Sequence, residues 1–183
     1  MRLEVPWSAV FGNDGPVEIE IGPGRGDTLL AAAATRPATN FFGIEQALRA
    51  VEGLAAQAAR RGLPNVRVVG GDARCVIARF VADASVAAYH IYFPDPWPKR
   101  RHRRRRLATP EFARDLARTL VPGGRLHVLT DLPALLADFL GPLREAGLVH
   151  RLGAVPPPER PITRYERKYG GDGVFYASFE RGG

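Results

Sequence analysis

Five carboxylates stand at or near the ends of predicted strands, and they are the side chains of this chain best placed to do chemistry. They are Glu20, Glu45, Asp72, Asp95 and Asp131. Ligands of open parallel α/β sheets bind outside the carboxyl ends of the strands, so we expect these side chains to gather around one site. Because a pocket rich in carboxylates repels phosphate groups, the pattern favours a ligand that carries positive charge.

A glycine-rich turn, EIGPGRGD, ends the first of these strands. Gly22, Gly24 and Gly26 let the backbone turn tightly and let a ligand approach it closely. The dinucleotide-binding fingerprint G-x-G-x-x-G would place its third glycine at position 27, where this chain has Asp27. A cradle for a pyrophosphate is therefore disfavoured, although such a turn can also be a simple connection between a strand and a helix.

The first three acids suit the parts of one cofactor. Glu45 can accept hydrogen bonds from two ribose hydroxyls, as an acid at this place does in nucleotide-binding folds. Asp72 is placed to accept from an adenine amino group, and Glu20 can pair with a cationic amino group. S-adenosylmethionine is both an adenosine and a cation, so the acids predict it as the cofactor. Taken singly, each acid could instead be a surface carboxylate or a helix cap.

The segment FPDPWPKRRHRRRRL at 93–107 combines an acid, an aromatic ring and a dense basic run. Its three prolines fix the backbone around Asp95 and Trp97 and remove hydrogen-bond donors. A carboxylate in such a loop can accept from the N1–H and the exocyclic amino group of a guanine together, which makes Asp95 a candidate for orienting a base. Trp97 offers a ring either for stacking on a base or for packing the loop.

The net charge of +7 is concentrated in this segment. The run from Lys99 to Arg106 carries seven positive residues, so the rest of the chain is neutral on balance. A focal basic patch on a neutral body points to a polyanionic partner, most simply a nucleic acid. Lysine would meet phosphates as a point charge and arginine as a bidentate fork. The alternative is a solvated, disordered charge run.

Length and composition predict one globular domain spanning residues 1–183. The single cysteine, Cys75, excludes an internal disulfide framework and fits a reducing compartment. The histidines show no metal-ligand spacing, so we expect no metal. We find no signal peptide and no apolar run long enough to span a membrane, so we expect no membrane partner and a cytoplasmic location.

Strand and helix patterns alternate along the first 147 residues, which predicts an open, mostly parallel sheet with helices on both faces. The predicted strands are 17–22, 40–45, 65–73, 85–93 and 123–131, with a last one at 173–181. The predicted helices are 27–36, 46–62, 74–81, 110–120 and 133–147. Thr109 and Pro110 together indicate the start of the fourth helix.

These motifs resemble those of the bacterial tRNA (guanine-N7)-methyltransferases. The matching segments are FGNDGPVEIEIGPGRG (11–26), FFGIE (41–45), NVRVVGGDA (65–73), FPDPWPKRRHRRRRL (93–107), LTD (129–131) and TRYERK (163–168). The FPDPWPK segment with its basic run and the TRYE segment are the specific elements, whereas the glycine turn and GIE are common to many methyltransferases. The resemblance covers the chain from about residue 3 to its end.

The resemblance implies a fold, a reaction and a set of site residues. The fold is the Rossmann-like class I fold of S-adenosylmethionine-dependent methyltransferases, with a mostly parallel central sheet and an antiparallel C-terminal strand. The reaction is methyl transfer from S-adenosylmethionine to N7 of guanosine at position 46, in the variable loop of tRNA. The implied catalytic residue is Asp95. The cofactor-binding residues are Glu20, Gly22, Gly24, Gly26, Glu45, Asp72 and Asp95. The substrate-binding residues are Lys99, Arg103, Arg104, Arg105, Arg106, Asp131, Thr163, Arg164, Tyr165 and Glu166.

The chain departs from the family pattern at Pro23 in the glycine turn, at Gln46 after the second strand, and in the unbroken arginines at 103–106. Three alternatives remain. One is a methyltransferase of this fold that acts on another RNA, a protein or a small molecule. Another is an NAD-type oxidoreductase, and the third is an RNA-binding module without catalytic activity. The sequence is compatible with a monomer and with a homodimer.

Overall fold

The computed structural model describes residues 2–97, 99, 101, 106–157, 160–169 and 173–183. The helices in this part of the chain are α1 (Trp7–Phe11), α2 (Asp27–Thr35), α3 (Leu48–Arg60), α4 (Ala73–Phe80), α5 (Pro110–Thr119), α6 (Pro133–Glu145) and α7 (Arg164–Tyr169). The strands are β1 (Val17–Ile21), β2 (Asn40–Glu45), β3 (Val66–Gly70), β4 (Val86–Tyr92), β5 (Leu120–Thr130), β6 (Leu148–Arg151) and β7 (Phe175–Arg181).

The strands form one sheet in the order β3-β2-β1-β4-β5-β7-β6. The first five strands in this order, β3, β2, β1, β4 and β5, are parallel to their neighbours. Strand β7 runs antiparallel to both β5 and β6. This confirms the predicted mostly parallel sheet with an antiparallel C-terminal strand. The chain reverses its direction of travel across the sheet between β1 and β4, and ligands of doubly wound sheets bind at such a switch point.

Helices cover both faces of the sheet because the side chains of each strand alternate between the faces. Ile19 of β1 is fully buried in the larger apolar cluster, together with side chains of α4, α5 and α6. Glu18 and Glu20 point to the opposite face. On that face Leu29 of α2 packs in a second cluster with Leu54 of α3.

The predicted elements are all present, with shifted ends. The strand predicted at 123–131 begins earlier, at Leu120. Thr109 caps α5 as predicted, because its Oγ1 accepts a hydrogen bond from the Phe112 N–H at 3.3 Å. The sequence prediction missed α1, β6 and α7, which have only five, four and six residues and show no extended periodicity. None of the helices in the described part of the chain is long and apolar enough to cross a membrane.

A buried ionic network ties β1 to β4 and to the end of α2. The two terminal guanidinium nitrogens of Arg36 donate to Glu18, at 2.5 and 3.0 Å. Glu18 also lies 2.8 Å from Nε2 of His90, whose Nδ1 is 2.8 Å from the Tyr92 hydroxyl. Burial by itself raises the pKa of Glu18, but the hydrogen bonds from His90 and Arg36 outweigh it and lower this pKa to about 2.

Replacing Glu18 with glutamine is expected to cost about 3 kcal/mol of unfolding free energy at neutral pH, since its pKa falls from 4.5 to about 2 on folding. Because folding lowers the pKa of Glu18, its contribution to the unfolding free energy is complete at pH values above 4.5, the pKa in the unfolded chain. This contribution is lost as the pH falls toward 2. Denaturant unfolding at several pH values between these limits measures the change. The exposed Glu52 on α3, replaced by glutamine, is the control. A cost that does not depend on pH would contradict the ionic origin.

Candidate active site

A cavity of about 390 Å³ lies at the carboxyl edge of the sheet, where the strand order reverses. One wall is the glycine turn with the start of α2, another is the end of β4, and the third is the segment that forms the start of α7. The lining residues are Glu20, Gly22, Pro23, Gly24, Arg25, Asp27, Thr28, Tyr92, Phe93, Thr163, Arg164, Tyr165 and Lys168. The structure thus brings the glycine turn and the TRYE segment, which are far apart in the sequence, to the same cavity.

The glycine turn needs its glycines for two different reasons. All three have left-handed backbones, with φ of 70° at Gly22, 54° at Gly24 and 81° at Gly26. A Cβ on Gly26 would lie 2.2 Å from Leu54 Cδ1, so this glycine allows α2 and α3 to pack closely. A Cβ on Gly22 or Gly24 would meet no described atom within 4 Å. These two positions face open space and leave the backbone accessible to a ligand.

Pro23, one of the departures from the family pattern, fits its surroundings. It is buried against β2, where a Cβ on Gly43 would lie 3.1 Å from the Pro23 ring. Any larger residue in place of Gly43 would push against this ring. The glycine of the FFGIE segment therefore makes room for the proline of the glycine turn.

Glu45 holds the glycine turn from the end of β2. One of its oxygens accepts from the Gly24 N–H at 3.0 Å, and the other accepts from the Ala47 N–H at 2.9 Å. The carboxylate is thus fixed next to the turn, but it does not line the cavity described above, so its contact with ribose hydroxyls stays a prediction. A carboxylate has about four lone-pair sites, so two hydrogen bonds leave acceptor capacity for a ligand.

Glu20 is the buried acid of the cavity, with 7% of its surface exposed. The pKa of this carboxyl is raised to about 8, mainly by burial. The positive charge of Arg160 opposes this shift, and the negative charge of Asp27 adds to it. Removal from water disfavours the charged form, and a cation in the cavity would restore it. The pairing of Glu20 with a cationic group of a ligand stays a prediction.

Asp72 is engaged within the chain. It caps α4 by accepting from the Arg74 N–H at 2.9 Å, and it accepts from the Arg74 side chain at 3.0 Å. The hydrogen bond from the Arg74 side chain is the main reason why the pKa of Asp72 lies below its ordinary value. Asp72 does not line the cavity described above, so its contact with adenine stays a prediction.

The Pro-Asp-Pro segment starts directly at the end of β4. Phe93 and Trp97 both have left-handed backbones, with φ of 49° and 43°, and Asp95 lies exposed between them. A positive φ is rare for bulky residues and is found where the surrounding structure imposes it, often at functional sites. The prolines on both sides of Asp95 limit the backbone further. The acid therefore lies at the sheet edge on a backbone of restricted conformation, and it does not line the cavity described above.

The TRYE segment is a capping box. Thr163 Oγ1 accepts from the Glu166 N–H at 3.1 Å, and Glu166 accepts from the Thr163 N–H at 3.3 Å. These reciprocal hydrogen bonds start α7, and they leave Arg164 and Tyr165 facing the cavity. Thr163 and Glu166, both predicted to bind substrate, thus have structural partners of their own.

Two contacts tie the start of α7 to the two sides of the site. The Arg164 N–H donates to Asp27 at the start of α2 at 3.3 Å. The Tyr165 hydroxyl donates to Asp131, at the end of β5, at 3.4 Å. Asp131 is therefore part of the same edge as predicted, although it does not itself line the cavity in the described residues.

Comparisons with known proteins identify the family. A family model described as "Putative methyltransferase" matches residues 14–174. The tRNA (guanine-N(7)-)-methyltransferase of Cupriavidus necator is 39% identical over 168 residues, which make up 88% of this chain and 64% of that protein. The enzyme of that name from Alkalilimnicola ehrlichii is 40% identical over 162 residues, or 86% of this chain and 68% of that protein. The chain belongs to the tRNA (guanine-N(7)-)-methyltransferase family.

Family membership confirms the resemblance and favours a methyltransferase over an NAD-type oxidoreductase. The chain spans about two thirds of the length of these curated relatives, 64% and 68%. The fold also resembles that of the 16S rRNA methyltransferase KamB, whose crystal structure matches with a TM-score of 0.69 at 18% identity. That match covers 97% of this chain and 93% of KamB. It supports the predicted class I methyltransferase fold.

The structure describes only part of the basic run at 99–106. Arg103, Arg104 and Arg105, predicted to bind tRNA, lie outside the described residues. Lys99 is exposed, and Arg106 donates from Nε to the Trp97 carbonyl at 3.2 Å. The beginning and the end of the run thus lie beside the Pro-Asp-Pro segment.

Sequence reasoning missed Arg160, which the structure places behind the family's TRYE segment. Its two terminal nitrogens donate to the two oxygens of Glu166 at 2.8 and 3.0 Å, and only 7% of its side chain is exposed. Its guanidinium carbon lies 5.6 Å from the centre of the Tyr92 ring. The signal in the sequence was weak, since one arginine six residues before a capping glutamate forms no known motif.

Proposed function

We propose that this chain transfers a methyl group from S-adenosylmethionine to N7 of a guanosine in tRNA, at position 46 of the variable loop. The observation that carries the proposal is the cavity itself. This cavity is lined by the glycine turn, buried Glu20, Phe93 and the TRYE segment, and the chain that forms it belongs to this family. A site for a cationic nucleoside therefore lies directly beside the segment that carries Asp95.

The residues present fit S-adenosylmethionine. Gly22 and Gly24 leave the backbone of the turn open, and Glu45 has acceptor capacity for hydroxyl groups. Glu20 offers a buried carboxyl that a positive charge would stabilise in its ionised form. When bound, the cofactor supplies a methyl group that is already activated by its positively charged sulfur. We assign Asp72 to the adenine side, on the basis of its place at the end of β3.

The chain does not need a general base for this reaction, because N7 of guanine has a free lone pair at neutral pH. The work left to the protein is to position N7 and to exclude water. Asp95 orients the guanine by accepting from N1–H and the exocyclic amino group. Phe93 and Tyr165 cover the cavity from the side of β4 and α7.

Cationic side chains surround the entrance and suit tRNA phosphates. Arg164 and Lys168 line the cavity, and Lys99 and Arg101 are exposed near the Pro-Asp-Pro segment. Together with the arginines of the basic run, they would hold the tRNA through its backbone and shape. Such contacts give affinity without sequence information, so Asp95 is left to select the guanine.

Neutralising part of the basic run is expected to flatten the salt dependence of tRNA binding. Each phosphate contact contributes about 0.7 to 0.9 to the slope of log K against log salt, so replacing Arg103 and Arg104 with glutamine lowers the slope by up to about 2. Filter binding across a salt series measures it. Arg60 and Arg61, which are exposed at the far end of α3, are replaced likewise as a charge-matched control. Equal slopes for the two double variants would contradict the assignment.

The direct test is methyl incorporation from labelled S-adenosylmethionine into an unmodified tRNA transcript. The product is mapped by chemical cleavage at 7-methylguanosine. Cleavage in the variable loop supports the proposal in full, and cleavage elsewhere retains the reaction but removes the position. A chain that binds the cofactor without labelling tRNA would point to the alternative acceptors, a protein or a small molecule.

A further inference from the structure

Two aromatic rings meet at the mouth of the cavity. The ring centroids of Phe93 and Tyr165 are 5.0 Å apart, with a tilt of 41° between the ring planes. Both side chains line the cavity that also contains Glu20. The positioning of guanine by Asp95 does not by itself require either ring, so their contact needs a reason of its own.

One ring of the pair is fixed and the other is more exposed. The Phe93 N–H donates to the Leu129 carbonyl at 2.7 Å, which extends the pairing of β4 with β5, and its φ of 49° is strained for a phenylalanine. Tyr165 has 44% of its surface exposed and lies on a helix of six residues. Phe93 therefore provides a rigid face, and an outward movement of the Tyr165 ring has to break the 3.4 Å hydrogen bond from its hydroxyl to Asp131.

We propose that Phe93 and Tyr165 form an aromatic clamp that takes the acceptor guanine between its rings and prefers the methylated base. The inference rests on the proposed function and adds two residues that act on the base itself. A base stacked between two rings needs about 3.5 Å on each side, or about 7 Å between the rings. Since the rings are 5.0 Å apart, Tyr165 must move outward by roughly 2 Å to admit the base.

The charge of the product gives the clamp its preference. Methylation at N7 leaves the guanine ring with a positive charge, and the faces of aromatic rings attract cations. Rings on both faces therefore bind the methylated base more tightly than the neutral one. The same attraction grows as the charge develops in the transition state, so it favours the reaction. A leucine in either place would still pack against the base but would lack this attraction.

The test compares the affinity of the chain for two tRNAs without any cofactor present. One is an unmodified transcript, and the other is assembled by ligation with 7-methylguanosine at the methylation site. We expect the wild-type chain to bind the methylated tRNA about fivefold more tightly. Phe93→Leu and Tyr165→Leu are expected to bring this ratio close to one, and Phe93→Tyr to retain it. Phe80→Leu, which removes a part-exposed ring at the end of α4, is the matched control.

The outcomes separate the clamp from the proposed function. A wild-type chain that methylates N7 of tRNA but binds both tRNAs equally overturns the clamp alone. So does a preference that survives in Phe93→Leu and Tyr165→Leu. If Phe93→Leu does not fold, Tyr165→Leu decides, because its side chain is half exposed and outside both apolar clusters. Tyr165→Phe, which keeps the ring and loses the hydrogen bond to Asp131, should retain the preference. A wild-type chain that neither labels tRNA nor binds it overturns the proposed function and the clamp together.

Discussion

Asp95→Asn is expected to lower kcat on tRNA by about 100-fold, and to do so evenly across the pH range in which the chain stays folded. The substitution keeps the size of the side chain, so the Pro-Asp-Pro loop should keep its backbone. What changes is the set of hydrogen bonds that the side chain can form. The expected effect is large because a reacting atom displaced by about 1 Å can cost a factor of this size.

The physical reason is that one acceptor oxygen of the Asp95 side chain becomes a donor NH2 group in asparagine. A carboxylate accepts at both oxygens and matches the two donors of guanine, N1–H and the exocyclic amino group. An asparagine accepts at its oxygen and donates at its nitrogen. Its NH2 group would therefore face one of the two guanine donors without a hydrogen bond. Because the loop is held by prolines and by two left-handed residues, it cannot easily adjust to this mismatch.

The pH profile decides between two roles for Asp95. If the carboxylate only orients the base, Asp95→Asn lowers kcat by the same factor at each pH. If it acted as a general base, the acid limb of the profile would disappear in the variant. Single-turnover rates with saturating tRNA measure this directly. Asp138→Asn, an exposed acid on α6, is the control for the loss of one negative charge.

Local patterns in the sequence were sufficient for most of the fold and for the place of the cavity in it. The parallel sheet follows from alternating strand and helix patterns, and so does the place of the cavity at its carboxyl edge. Of the five acids at strand ends, only Glu20 lines that cavity. Glu20 and the glycine turn were found in this way because each depends on residues adjacent in the sequence. The buried position of Glu20 on the α2 face follows from the same alternation.

Tertiary partners were beyond the reach of these patterns. The pairing of Asp72 with Arg74, and the fit of Pro23 against Gly43, depend on how the side chains pack in three dimensions. The start of α7 could have been predicted, since TRYE reads as a capping box. Its contact with α2 could not, because Asp27 and Arg164 are 137 residues apart.

Arg160 illustrates this limit and carries the second large expected effect. Replacing it with methionine is expected to cost about 2 kcal/mol locally, because it leaves the part-buried Glu166 carboxylate without its main hydrogen-bond donor. Burial alone would raise the pKa of Glu166, and the hydrogen bonds from Arg160 instead hold it below the ordinary value. Without these hydrogen bonds, the Glu166 side chain either takes up a proton or turns toward water, and the capping box at the start of α7 is weakened.

The expected result of Arg160→Met is a loss of order in α7 and a fall of about 100-fold in kcat/KM for tRNA. The affinity for S-adenosylmethionine should change less than kcat/KM, since the glycine turn and Glu45 do not contact Arg160, and the part that does change reports the charge of Arg160 near Glu20. Hydrogen exchange of the amides in α7 measures the order of the helix, and titration with the cofactor measures the affinity. Arg167→Met, an exposed arginine of the same helix, controls for the change of side chain.

A double-mutant cycle shows whether Arg160 acts through Glu166. Arg160→Met and Glu166→Leu each leave one member of a bidentate pair without its partner, whereas the double variant removes both charges from the buried place. If Arg160 positions the segment only through this pair, the double variant should be less disordered than the sum of the single variants predicts. Additive losses would mean that the two residues act independently, for example through the contact of Arg160 with the Tyr92 ring. The cycle therefore identifies the contact that holds Arg164 and Tyr165 over the cavity.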